Sequence, residues 1–301
     1  AAITTVGGNV RVEQATRNVH AVLKVAGLAG RIPVYQGASE PMVGAFDSSK
    51  HWSGHGNDGI GDSGLSEEFS DLKLDEMPHA ALSIIDLARK HKELEVLALG
   101  PLTNLALALK LDPTIATSIS HVTMMGGTME AKGNSTAAAE FNFDFDPEAA
   151  HVVMEAFSPE RLLLQKEEPA LTLVTWELTL NHCLDWVFFD SLTPPANLTA
   201  HGDFLKKICK PMETMLRSDE TPLGFLPCDA YASAVMEKKE IITNYQDLKC
   251  RIELSGSQTR GMTVMDWYGK WKCKPNVRLV KEINKEAFCE LMADTFCNKG
   301  C

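Results

Sequence analysis

The strongest constraint on the fold is an alternation along the first half of the chain: a short apolar run, a glycine-bearing turn, then apolar residues at helical spacing. It starts at once, with the β-branched run Ala2-Ile3-Thr4-Thr5-Val6, the turn Gly7-Gly8-Asn9, and Ala15, Val19, Val22 and Ala26 on one helical face. The order returns as a helix over 78–92, a strand over 95–99, the turn Gly100-Pro101 and a helix over 104–111, before a strand over 122–125 closes on Gly126-Gly127. Further strands are expected over 171–178 and 249–254, and helices over 203–216, 230–236 and 285–296. Strands alternating with helices at this interval imply an α/β class with a mainly parallel sheet and helices on both faces. Two stretches have loop composition: 48–62, rich in glycine, and 159–169, mixed in charge.

At 301 residues the chain is expected to form a single domain over 1–301. A βα unit flush with residue 1 leaves no chain to pair on the other side of its strand, so a preceding strand and helix are expected. The 29 Lys+Arg against 40 Asp+Glu give a net charge of −11, which repels polyphosphate and anionic lipid, so neither nucleic acid nor membrane is an expected partner. There is no apolar run of the ~18 to 20 residues that span a bilayer and no leader pattern, so a cytoplasmic location is expected. The eight cysteines, Cys183, Cys209, Cys228, Cys250, Cys273, Cys289, Cys297 and Cys301, have no metal-type spacing and are expected to be free thiols.

In an open α/β sheet, ligands bind beyond the carboxyl ends of the strands, so the groups just after each strand carry the functional signal. Those groups are Gly7-Gly8-Asn9, Gly100-Pro101-Leu102-Thr103-Asn104, Met125-Gly126-Gly127 and Gly133-Asn134, with Ala139-Glu140-Phe141-Asn142 beyond them. Singly, each has the composition of a turn or helix cap. Together, Asn134, Glu140 and Asn142 put amides and a carboxylate in one short stretch, as vicinal hydroxyls require, since each hydroxyl wants a donor and an acceptor. Asp146-Pro147 is a cap followed by a proline at the first helical position. Asp229, ahead of an apolar helical stretch, is open to two readings: helix cap or metal ligand.

These motifs, in order with His55-Gly56-Asn57-Asp58-Gly59-Ile60-Gly61 and Asp146-Pro147-Glu148-Ala149-Ala150, resemble the inosine-uridine-preferring nucleoside hydrolases over most of the chain. The resemblance implies a Rossmann-like sheet and hydrolysis of the N-glycosidic bond of ribonucleosides. It also implies a Ca²⁺ ion that binds the ribose hydroxyls and a water attacking an oxocarbenium-like sugar. By resemblance, Asp229 and the backbone carbonyl of Leu99 are Ca²⁺ ligands, Asn9, Met125, Asn134, Glu140 and Asn142 hold the sugar, and His55 lies on a mobile loop that closes over the base.

The sequence departs from the family twice. The aspartate-rich motif that supplies further Ca²⁺ ligands and the general base belongs before Ala1. Cys228 stands where many members have a histidine that protonates the leaving base, and is either a passive pocket wall or a proton donor. A homodimer or homotetramer is expected by resemblance alone. The alternative to an enzyme is a noncatalytic nucleoside-binding or scaffold protein on the same fold.

Overall fold

The computed structural model describes residues 1–50, 52–72, 77–162, 168–217 and 223–297. Nine strands lie within them: β1 (Ile3–Thr5), β2 (Val34–Gln36), β3 (Leu94–Ala98), β4 (Ile119–Met125), β5 (Leu171–Val174), β6 (Ile242–Leu248), β7 (Cys250–Ile252), β8 (Thr263–Met265) and β9 (Val277–Ile283). The central sheet has the order β3-β4-β5-β9-β6, parallel except where β6 runs against β9. β1 and β2 pair in parallel, and β7 and β8 pair antiparallel as a separate ribbon. The expected α/β architecture is therefore present, although the parallel strands fall into two groups.

Side-chain alternation along the central strands builds two apolar cores, one on each face of the sheet. Met124, Leu173 and Leu279 point into a core closed by the helices Ala80–Lys90, Thr103–Leu111 and Pro147–Ala156. Their chain neighbours Met125, Val174 and Val280 point into the other, closed by the helices Cys228–Glu237 and Lys285–Cys297. Burying a side chain of this size contributes roughly 1.5–3 kcal/mol, so strands lined on both faces dominate the stability of the fold. β4 and β5 have that character, whereas Leu94, Val96, Leu97 and Ala98 of β3 are only partly buried, at the edge of the sheet.

Several expected elements are corrected. The strand over 171–178 stops at Val174, because the Thr175 hydroxyl accepts a hydrogen bond from the Leu178 N–H (3.4 Å) and starts the helix Trp176–Asn181. The helix over 203–216 is two, Ala200–Ile208 and Lys210–Leu216. Pro211, in the first turn of the second, supplies no N–H to continue the first. The strand over 249–254 is the three-residue β7, and β2, β6, β8 and β9 were not expected. The 159–169 loop begins as the short helix Pro159–Leu162, and its positions 163–167 lie outside the described residues.

Asp146 caps the helix Pro147–Ala156 as expected, accepting from the Ala149 N–H at 3.0 Å. Its other oxygen accepts from the Thr103 hydroxyl (2.6 Å) and the Met42 N–H (2.9 Å), tying three segments together. The seven described cysteines are free, and Cys301 lies outside the described residues. Among the described residues, no helix is long and apolar enough to cross a membrane.

Candidate active site

The site grows from the end of β4. After Met125 the chain must pass close under the ring of Phe143: a Cβ on Gly126 would lie 2.6 Å from its Cε1, and Gly127 adopts a φ of +65°. Only glycine meets both demands without strain. The turn aims the Gly127 N–H at Glu140, whose Oε2 accepts it at 2.8 Å. Glu140 also caps the helix Phe141–Phe145, accepting from the N–H groups of Asn142 (2.9 Å) and Phe143 (3.3 Å). The side chain is almost wholly enclosed, with 2% of the residue exposed. Burial pushes its carboxyl up to about 7 against the downward pull of those three N–H groups, and the charge of Asp229 adds to the rise.

The two asparagines beside Glu140 are committed in opposite senses. Asn142 donates from Nδ2 to the Met125 carbonyl (3.0 Å), which leaves Oδ1 as an acceptor. Asn134 accepts the Phe141 N–H on Oδ1 (2.9 Å), which leaves Nδ2 as a donor. Around one buried carboxylate, therefore, stand a spare acceptor and a spare donor, the complement of adjacent hydroxyl groups.

Asp229 lies in the first turn of the helix Cys228–Glu237. The N-cap of that helix is Pro227, with no side-chain cap, so the capping reading of Asp229 fails. Packing pushes its carboxyl up to about 7, although the residue keeps an exposed face through which water reaches it. Among the described residues no donor reaches this carboxylate. Next to it, burial, reinforced by the charges of Asp229 and Glu140, pushes the Cys228 thiol up to about 12, so the sulfur keeps its proton at neutral pH.

The structure thus brings Met125, Glu140, Asn142, Cys228 and Asp229 together, with Asn134 on the adjoining turn. Asn9 arrives from the other strand group. A Cβ on Gly8 would meet Pro101 at 3.4 Å and Phe141 at 3.8 Å, so the turn after β1 rests on the turn after β3 and on the Phe141–Phe145 helix. Leu99, just past β3, is 37% exposed. Asn104, in the segment that follows β3, is a clip: its Nδ2 donates to the Thr5 carbonyl (2.8 Å) and its Oδ1 accepts from the Ala38 N–H (2.9 Å). His55 stands apart in the short turn Ser53–His55, its ring 4.7 Å from that of Trp52 and its turn against the helix Lys210–Leu216.

Asp229 and the Leu99 carbonyl offer at most three oxygens where Ca²⁺ takes six to eight. Among the described residues no three His, Cys, Asp or Glu side chains come together as a metal site. The donors present do not by themselves fit a Ca²⁺ ion.

Sequence reasoning missed Glu177. It is 2% exposed and accepts the backbone N–H groups of Met129 (2.7 Å), Glu130 (2.8 Å) and Lys132 (3.2 Å). An acid inside the apolar run that follows Leu171 was the available signal.

Comparison with known proteins matches the family model for inosine-uridine preferring nucleoside hydrolases over residues 1–290. The chain is similar to the inosine-uridine preferring nucleoside hydrolase of Crithidia fasciculata, 31% identical with 97% of this chain and 87% of that protein covered. It is also similar to that of Leishmania major, 33% identical with 94% and 85% covered. Among solved structures it resembles an inosine-guanosine nucleoside hydrolase, with a TM-score of 0.84 and 32% identity over 98% of this chain and 89% of that one.

Proposed function

Because the chain belongs to the inosine-uridine preferring nucleoside hydrolase family, we propose that it hydrolyses the N-glycosidic bond of ribonucleosides, releasing free base and ribose. The observation that carries this reading is the buried Glu140, flanked by the spare acceptor of Asn142 and the spare donor of Asn134. Vicinal ribose hydroxyls fit that set. Holding the ring there fixes the anomeric carbon while water forms the new C–O bond and the C–N bond breaks. The sugar passes through a cationic, oxocarbenium-like state. The leaving base gains a proton and the attacking water loses one.

A thiol held at about 12 is a weak acid for the leaving base, which supports the pocket-wall reading of Cys228. The family's hydrolases depend on a metal; we take the ion as Ca²⁺, with Asp229 and the Leu99 carbonyl as ligands that need others beside them. Asn9 and Met125 complete the sugar contacts, and His55 belongs to a loop that covers the base. The chain acts as one domain, cytoplasmic, in a homodimer or homotetramer. A weakly acidic thiol at position 228 favours one second reading, a nucleoside-binding protein without turnover.

Release of hypoxanthine from inosine and uracil from uridine, followed by chromatography with Ca²⁺ present, tests the proposal. Asp229→Ala is expected to lose most of the activity. Binding of inosine without release of base would replace the enzyme by the noncatalytic reading, and an absence of both would overturn nucleoside recognition.

A further inference from the structure

We infer that Glu177 is a positioning residue for the nucleoside site, acting through the backbone of the segment that runs from Gly127 to Asn134; the inference rests on the nucleoside reading above. A carboxylate this deeply buried is costly unless its lone pairs are taken. Here backbone N–H groups take them. Oε2 accepts from Met129, while Oε1 accepts from both Glu130 and Lys132. Between the last two, Ala131 turns left-handed with a φ of +59°, curling the chain around the carboxylate. Converging N–H groups of this kind form an anion-binding nest, and in this protein the anion is an internal side chain.

The same segment is held at its start. The Thr128 N–H donates to the Thr263 hydroxyl (2.7 Å), and the Thr128 hydroxyl donates to the Ala138 carbonyl (3.2 Å). Gly127 links the two carboxylates: its N–H donates to Glu140 (2.8 Å), and its carbonyl accepts the N–H of Trp176 (3.2 Å), the residue before Glu177. Glu140 and Glu177 therefore grip opposite ends of one short loop, and Asn134 follows directly from it. A shift of residues 129–132 passes through Thr128 and Gly127 to the Glu140 carboxylate. An apolar side chain could fill the volume of Glu177, but only an acceptor can hold that loop.

Glu177→Gln is the sharpest test, because the amide is nearly isosteric yet carries one oxygen. Its NH₂ must face either the Met129 N–H or the pair from Glu130 and Lys132, donor against donor. The readouts are KM and kcat for inosine, the Kd of D-ribose by calorimetry, and the melting temperature, with kinetics measured well below unfolding. The expected result is a rise of ~10-fold or more in KM and in the ribose Kd, the effect of leaving a buried donor unpaired at a binding surface. Glu177→Asp keeps both oxygens and the charge, and is expected to recover part of that loss. A melting temperature that falls while KM and ribose affinity stay at the wild-type values would make Glu177 merely structural and overturn the inference. If the Gln variant fails to fold, Glu177→Asp decides alone: a KM within twofold of wild type overturns the inference, and a larger rise supports it. Wild-type protein that neither binds D-ribose nor releases base removes the nucleoside reading and this inference with it, whereas wild-type binding matched by Glu177→Gln removes this inference only.

Discussion

Asp146→Ala should be among the most damaging single substitutions outside the site. Asp146 is fully buried, and its carboxylate serves three donors on three segments: the Ala149 N–H, the Thr103 hydroxyl and the Met42 N–H. Loss of the cap costs ~1 kcal/mol. The Thr103 hydroxyl is then left unpaired in the interior, at ~1–3 kcal/mol, and the half-buried Met42 N–H loses a bond worth ~1 kcal/mol. The sum is about 3–5 kcal/mol, a large part of the ~5–15 kcal/mol that stabilises a typical domain. At roughly 2 °C per kcal/mol for a chain of this size, the melting temperature should fall by about 8 °C. Asp146→Asn keeps the cap and lets the Thr103 hydroxyl turn to accept from the new amide, so only Met42 faces a donor and the loss should be ~1–2 kcal/mol. Urea unfolding followed by tryptophan fluorescence measures both. The reasoning is refuted if Asp146→Ala costs less than about 1.5 kcal/mol, or no more than Asp146→Asn.

Cys228→His is expected to raise turnover of inosine by ~10²-fold or more while leaving a nitrophenyl riboside unchanged, since nitrophenolate departs without a proton. Equal changes on both substrates, measured side by side, would mean that position 228 acts through packing. Glu160 predicts a pH dependence: the Ser158 hydroxyl, then the Lys274 N–H and the charge of Lys249, hold its carboxyl at about 2, below its ordinary 4.5. A carboxyl depressed by folding stabilises the protein above its unfolded value and stops doing so as pH falls through the folded one. The stability gap between wild type and Glu160→Gln, from urea unfolding at pH 7, 5 and 3, should therefore be constant at the two higher values and smaller at the lowest; a gap that widens in acid contradicts the assignment.

The parts of the fold legible in the sequence are those where one local rule dominates. The run from Val122 to Met125 is apolar on both faces and ends at Gly126-Gly127, and Asp146-Pro147 is a cap whatever surrounds it. β6 and β9 were illegible because Ile242–Leu248 and Val277–Ile283 mix charged and apolar residues, and only their antiparallel pairing beside β5 buries the apolar set. The strand over 171–178 was overextended because Trp176 and Leu178 continue its apolar composition, while the single Thr175 hydroxyl that turns it into a helix adds no signal of its own. In the site, Glu140 and Asn142 stood out through chain proximity. Glu177 did not, because its partners at Met129, Glu130 and Lys132 are 45 to 48 residues away in sequence.

The division of the strands into two groups sets how different parts of the site open and close. β4, β5 and β9 lie between two cores, so their amides reach solvent only when the whole protein unfolds. β1 and β2 have three residues each, bond only to one another among the described strands, and are tied to the rest through contacts such as the Asn104 clip. With so few bonds of its own, this pair is expected to open at a lower free energy than the central sheet, measurable as faster amide exchange. Glu140, Asn142 and Met125 ride on the slow unit, and Asn9 rides on the fast one. A ligand that touches both would raise the opening free energy of β1 and β2 by the part of its binding energy that depends on Asn9. Occupancy of the proposed sugar site would then appear as slowed amide exchange at Ile3 to Thr5, in a part of the chain remote in sequence from Glu140.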